Sequence, residues 1–95
     1  MAWILHTTIM LPFNEQKLAE KTFIRIFSQD IPEQELKWHW DEEDRIIEAV
    51  EETDWQFQFD NCLPMSINTQ IRIPKGIIHR IIKGTGELKI KVLKL

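Results

Sequence analysis

The sequence has no excess of basic residues, one cysteine, no long apolar run and no tyrosine. Its formal net charge is −3, so the chain has no basic field and a nucleic-acid partner is disfavoured. The single cysteine, Cys62, excludes an intramolecular disulfide and is typical of a reducing compartment. No stretch approaches the ~18 apolar residues of a membrane span. We therefore expect a cytoplasmic protein with neither a nucleic-acid nor a membrane partner.

The N-terminal stretch MAWILHTTIMLPFNEQ also lacks the features of a secretory signal. No basic segment precedes the apolar residues, His6 interrupts them, and no small-residue cleavage site follows. We expect this stretch to pack as a strand or as an arm that covers the domain.

The composition indicates one folded domain that is well supplied with large apolar rings. Apolar residues make up 43% of the chain and charged residues 28%, a mixture typical of globular proteins. A chain of 95 residues rarely holds two independent cores, so we predict a single domain spanning 1–95. A domain this small buries a modest share of its surface and often gains stability from a partner subunit.

Most of the chain alternates between apolar and polar residues in short runs that are bounded by turn residues. The runs TFIRIF, WQFQFD and ELKIKVLK show this period of two, which is typical of β-strands. Asn14 to Glu20 is the only helix-like stretch, with Asn14 as a plausible N-cap. About seven or eight strands at such spacing predict an all-β sandwich or small barrel. We expect an arm with at most one short helix over 1–21 and a barrel over 22–95.

Strand parity predicts which polar residues share a cavity. His39, Asp41, Glu43 and Arg45 are all odd-numbered, so an unbroken strand would direct all four side chains to one side. On a later strand, His79 has the same parity as Ile77 and Ile81. Imidazole nitrogen and carboxylate oxygen together suit Fe, Mn, Ni or Zn, and two histidines with one carboxylate form the facial arrangement of non-haem iron sites.

Aromatic residues are predicted to pack beside this polar group. Trp55, Phe57 and Phe59 share one face of their strand and are expected to lie in the core. Small-molecule sites are mostly apolar, so we expect Phe57 to form a wall of the pocket.

The segment from Trp38 to the C-terminus resembles the cupin superfamily, which comprises small antiparallel β-barrels of jelly-roll type. The second cupin motif is Gly, five residues, Pro-x-Gly, two residues, His, three residues, Asn. Pro74, Gly76 and His79 match this motif at the right spacing, whereas Asn68 and Lys83 stand at its two ends.

The first cupin motif is more degenerate in this chain. It runs Gly, five residues, His-x-His, three or four residues, Glu, six residues, Gly, and only His39 matches. Asp41 stands at the second histidine, Arg45 at the glutamate, and Glu33 and Glu52 at the two glycines. The resemblance implies that the positions of the metal ligands are occupied here by His39, Asp41, Arg45 and His79.

Arg45 at the glutamate position leaves two interpretations open, because arginine offers only donors and cannot ligate a cation. In the first, His39, Asp41 and His79 hold a divalent metal, with Glu43 as a substitute carboxylate and Arg45 swung away. The resemblance then implies metal-assisted oxygenation, isomerisation or hydrolysis of a small polar or acidic substrate.

In the second interpretation no metal is bound. Arg45 pairs with Asp41, and the guanidinium and the two histidines form a floor suited to a small anionic molecule. The protein would then be a non-catalytic dimer that senses a ligand or binds a partner. His79 also has a purely structural interpretation, as a hydrogen-bonded histidine of the core.

Several apolar residues have the parity that points away from the histidines. They are Trp38, Trp40, Ile46, Ile78 and Ile82. In a monomeric single-layer barrel these side chains would face water, so we expect them to be covered by the arm Trp3 to Leu11 or by a second subunit. We predict a homodimer.

Overall fold

The computed structural model describes residues 12–95, in which eight strands form two antiparallel sheets. The strands are β1 (Asn14–Ala19), β2 (Thr22–Phe27), β3 (Arg45–Ala49), β4 (Gln56–Phe59), β5 (Met65–Ser66), β6 (Ile71–Ile73), β7 (His79–Ile82) and β8 (Leu88–Lys94). A single 3-10 turn at Glu33–Glu35 is the one helical element in this part of the chain. The prediction of an all-β jelly-roll fold is confirmed.

The two sheets differ in size and in strand order. The larger sheet has the order β1-β2-β8-β3-β6, and the smaller sheet has the order β5-β4-β7. Strands distant in sequence therefore lie side by side, as β2 and β8 do. Buried side chains of both sheets form one hydrophobic core, which is the packing expected of two sheets with one apolar face each.

The alternation read from the sequence places the core residues as predicted. Leu88, Ile90 and Val92 of β8 are all buried, while Lys91 between them is exposed. Trp55 is fully buried, and its indole Nε1 donates to the carbonyl oxygens of Thr85 and Gly86, each at 3.1 Å. Burial of this ring therefore leaves no unpaired indole N–H.

The helix predicted for Asn14 to Glu20 is wrong, because this stretch forms the edge strand β1. Asn14 pairs with Ile26 and Lys17 pairs with Phe23 of β2. All six residues of β1 are exposed, so the strand is held by its backbone pairing and by the contact of Glu15 with Arg25. Its sequence shows no apolar alternation. Helix propensity is a weak prior that tertiary pairing of this kind overrides.

The stretch from Glu35 to Trp40 has little regular secondary structure. The 3-10 turn takes its first residue, and Leu36, which follows the turn, is buried in the core. Extended pairing is limited to an isolated antiparallel bridge between His39 and His79. The backbone N–H groups of these two residues donate to each other's carbonyl oxygens at 2.9 and 2.8 Å.

The turn before β7 fixes the backbone of Asp41 by a hydrogen bond. Gly76 has a φ of 79°, a conformation that glycine adopts without strain, and its N–H donates to the carbonyl oxygen of Asp41 at 2.9 Å. Together with the bridge at His39, this bond fixes the backbone from His39 to Asp41 against the start of β7. Ile77 lies in the same turn and is 43% exposed, so it does not share the buried face of His79 as the parity suggested.

None of the elements between residues 12 and 95 is a helix long and apolar enough to cross a membrane. The predicted covering arm, Trp3 to Leu11, lies outside the described residues.

Candidate metal centre

The five side chains predicted to line the pocket come together in one cavity. It lies between the two sheets, because Arg45 begins β3, Phe57 lies in β4 and His79 begins β7. His39 and Asp41 reach it from the loop that precedes β3. All five side chains are buried, with Asp41 1% exposed.

Each histidine is oriented by a hydrogen bond to the backbone two residues earlier. Nδ1 of His39 lies 2.9 Å from the carbonyl oxygen of Lys37, and Nδ1 of His79 lies 2.8 Å from that of Ile77. A carbonyl oxygen only accepts, so Nδ1 carries the hydrogen in both rings. A neutral imidazole with its hydrogen on Nδ1 has its lone pair on Nε2. Metal-binding histidines are commonly oriented by such a bond to a carbonyl oxygen.

The potential ligand atoms converge. One ligand atom from each of His39, Asp41 and His79 lies within 4.8 Å of the other two, so this group could hold a metal ion. The two imidazole rings pack edge to face with their centroids 4.3 Å apart. Phe57 stacks on His79 with a centroid distance of 5.3 Å and an interplanar angle of 23°. The ring of His79 is therefore fixed from two sides.

Asp41 is a buried carboxylate with an ion-pair partner and an incomplete set of hydrogen bonds. Its Oδ2 lies 3.3 Å from Nε2 of His79, and its Oδ1 lies 3.2 Å from Nη1 of Arg45. Among the described residues, neither oxygen has a well-aligned hydrogen bond. A buried carboxylate is costly unless it is paired, and Arg45 supplies that pairing. The hydrogen bonds that are missing are ones that a bound ion or water can supply. Two imidazole nitrogens and this carboxylate oxygen fit a divalent transition metal.

The pKa shifts of His39 and Asp41 favour their metal-binding protonation states at neutral pH. Burial lowers the pKa of His39 to about 4, so its ring is neutral at pH 7. Burial alone would raise the pKa of Asp41. The neighbouring His79 ring and the positive charge of Arg45 outweigh that effect and lower the pKa, so the carboxyl group is ionised.

Arg45 and His79 approach different oxygens of the Asp41 carboxylate. Nη1 of Arg45 pairs with Oδ1 of Asp41, whereas Oδ2 is the oxygen that faces His79. Glu43 lies against Nη2 of Arg45 at 3.3 Å and is not part of the three-residue ligand group. The structure therefore places Glu43 beside the arginine and does not bring it to the position of a substitute ligand.

A second buried arginine in the cavity was missed by the sequence analysis. Arg25 of β2 lines the same cavity and is 8% exposed. Its Nε donates to Oε2 of Glu15 at 2.6 Å, and its guanidinium lies 4.3 Å from the centroid of the Phe13 ring. A signal was present, because Arg25 alternates in register with Phe23 and Phe27 and so had to share their inward face.

The cavity is small. Its volume is about 30 Å³, which is enough for about two water molecules. Typical small-molecule pockets measure ~300–1,000 Å³. The space between the sheets therefore admits an ion with a small group beside it.

Comparison with known proteins identifies the fold. No protein-family model and no curated protein matches the sequence. A crystal structure of DMSP lyases superimposes with a TM-score of 0.61 at 15% identity, covering 77% of this chain and 36% of that one. FeII HppE gives 0.59 at 14% identity, with coverages of 78% and 41%. A cupin-2 domain protein from Shewanella frigidimarina gives 0.56 at 17% identity, with coverages of 95% and 81%.

These similarities show that the chain has the cupin-type jelly-roll fold predicted from its motifs. It spans less than half of the two larger proteins but most of the small cupin-2 protein. At identities below 20% the likeness concerns the fold alone.

Proposed function

We propose that the protein holds a divalent transition-metal ion, Fe, Mn, Ni or Zn, through His39, Asp41 and His79. The observation that carries the proposal is that one ligand atom from each of these residues lies within 4.8 Å of the others. The carboxylate among them, Asp41, is buried and lacks well-formed hydrogen bonds. Two histidines and one carboxylate leave coordination positions open for water or substrate. The Fe(II) form of one protein of the same fold supports iron as one candidate.

The chain's own residues supply orientation, charge and exclusion of water. The carbonyl groups of Lys37 and Ile77 fix the tautomers of the two histidines, and Phe57 limits rotation of His79. Asp41 supplies the negative charge, and its Oδ1 forms an ion pair with Arg45. A bound ion would act as a Lewis acid toward a small polar or acidic molecule, as in metal-assisted oxygenation, isomerisation or hydrolysis.

A second candidate function is favoured by the Arg45–Asp41 ion pair. If no metal binds, this pair partly closes the cavity from within, and the small volume suits a sensor or interaction protein better than an enzyme. In this case the protein is a metal-free, non-catalytic dimer that binds a small anion or a partner.

Elemental analysis of protein purified without chelators separates the two functions. We expect about one transition-metal ion per chain in the wild-type protein, and loss of most of it in His79→Ala, because the remaining two ligands bind a divalent ion weakly. His6→Ala is the matched control, since His6 is predicted to belong to the N-terminal arm, and it should retain the metal. Metal-free protein whose melting temperature does not respond to added Fe, Mn, Ni or Zn would contradict the metal centre and favour the second function.

A further inference from the structure

We propose that the buried arginines Arg25 and Arg45 form a subsite for the carboxylate group of a small organic acid. Both side chains line the cavity that contains the candidate metal ligands. They come from strands β2 and β3, on either side of β8 in the larger sheet. Guanidinium groups are the side chains best suited to bind a carboxylate, because their planar array of N–H donors matches its two oxygens.

Arg45 has a donor that the described residues do not use. The side chain is 7% exposed, and its two terminal nitrogens face Asp41 and Glu43 at 3.2 and 3.3 Å. Its Nε is buried and has no hydrogen-bond partner among residues 12–95. Leaving a buried charged donor unsatisfied is expensive, so an acceptor inside the cavity is expected.

Arg25 adds further donors on the opposite side of β8. Its Nε donates to Oε2 of Glu15, and the remaining N–H donors of the guanidinium are on its two terminal Nη groups. Packing against Phe13 holds the guanidinium in place. Burial lowers the pKa of Arg25, but an arginine starts so high that the group stays charged at neutral pH.

The charge balance links this subsite to the proposed metal. Around the cavity, Arg25 and Arg45 face three carboxylates, those of Glu15, Asp41 and Glu43, so without an ion the group carries one net negative charge. A divalent cation would change this to one net positive charge. An added carboxylate would then neutralise the group. The gain in affinity for a carboxylate on metal binding rests on the proposed function. The subsite formed by the two arginines does not depend on it.

The cavity volume sets the size of the group that enters. A cavity of about 30 Å³ that also contains the candidate metal ligands has room for no group larger than a carboxylate. The acid is therefore bound by its carboxylate end, and formate and acetate are the appropriate probes.

The test is a titration of ¹⁵N-labelled protein with sodium formate, read from the Nε–H resonances of the arginines. The protein is first stripped with a chelator and then titrated again after zinc loading, at constant ionic strength set with a bulky sulfonate. We expect saturable shifts of the Arg25 and Arg45 signals, with a Kd about threefold or more lower in the zinc-loaded protein. Neutral formamide, which has the size of formate, should cause none.

Three variants assign the effect to the subsite. Arg25→Gln should raise the Kd for formate about tenfold, because it removes a charged donor. Arg45→Lys identifies the Nε–H signal of Arg45 by its disappearance, and it should raise the Kd for formate by a similar factor. Arg72→Gln is the matched control, since Arg72 is exposed and pairs with Asp44 outside the cavity.

The possible failures are distinguishable. Absence of saturable shifts at both arginines in the wild-type protein, whatever its metal content, would overturn the subsite. Equal shifts with chloride would overturn its assignment to a carboxylate. Zinc binding is followed separately from the ring ¹⁵N signals of His39 and His79, so failure to bind zinc would count against the metal centre and leave the formate result to decide the subsite.

Discussion

Single residues in the cavity do work that depends on their burial. His39 is neutral at pH 7 because the surrounding protein disfavours its charged form, and the Lys37 carbonyl fixes which nitrogen carries the hydrogen. Asp41 remains ionised in the same environment because Arg45 and His79 compensate for its lost hydration. Burial keeps His39 neutral and the neighbouring groups keep Asp41 ionised, so both are in the deprotonated form that metal ligands need.

The lowered pKa of His39 predicts how stability depends on pH in metal-free protein. The unfolded chain binds a proton near pH 6.5, whereas the folded chain does so only near pH 4. The unfolded state therefore gains protons first, and stability falls as the pH drops through this window. We expect a loss of roughly 3 kcal/mol between pH 7 and pH 4 from this residue. Urea unfolding at several pH values, with a chelator present, measures it.

His39→Gln is the control for this dependence. The variant should lose most of the slope between pH 6.5 and pH 4, because glutamine does not titrate. Asp41 affects stability in a separate pH range, because its pKa is lowered from the usual value of 3.8. Its contribution to stability is fully present above that pH and is lost as the pH falls below it. An unchanged slope in His39→Gln above pH 4 would contradict the assignment.

At the scale of elements, the alternation of β3 decides what faces the cavity. Ile47 is 4% exposed, lines the cavity, and lies between Ile71 of β6 and Val92 of β8. Its neighbour Ile46 is half-buried on the other face, beside Leu93. The position of Arg45 at the start of this strand therefore depends on the same register that buries Ile47.

Ile47→Ala and Ile46→Ala form a matched pair that tests this register. Both lose the β-branched side chain, so their intrinsic strand preference changes equally. We expect Ile47→Ala to lower the free energy of unfolding by about 3 kcal/mol, since it creates a cavity in the core, and Ile46→Ala by about 1 kcal/mol. Equal losses in urea unfolding would show that the two faces are not distinguished as described.

The strands whose residues alternate between apolar and polar were predictable from the sequence. Strand β1, which has no such alternation, was not. The parity of His39, Asp41 and Arg45 predicted their common cavity, although their strand is interrupted before Arg45. The stretch Asn14–Ala19 has no such alternation, since all its side chains are exposed, and nothing local in it shows that β2 will pair with it. Arg25 was predictable from Phe23 and Phe27, but its contact with Glu15 depended on that unpredicted strand.

At the scale of the whole molecule, an apolar patch is exposed at one corner. The tryptophan patch consists of Trp38, Trp40, Ile77 and Ile78, whose exposed fractions lie between 41% and 46%. The bridge between His39 and His79 explains their proximity, because antiparallel pairing sets Trp40 opposite Ile78 and Trp38 beside Arg80. Clustered apolar residues of this kind commonly mark an interaction surface.

We predict that the tryptophan patch is the contact surface of a homodimer. A domain of 95 residues gains stability by burying such a surface, and a patch that meets its own copy across a two-fold axis forms a closed assembly. Light scattering coupled to size exclusion should give twice the chain mass at micromolar concentration. Trp40→Glu should give the monomer mass, because two like charges would be buried at the axis. Val50→Glu, at a 51% exposed residue outside the patch, should remain dimeric. A wild-type monomer would contradict the dimer and leave the N-terminal arm as the covering segment to test.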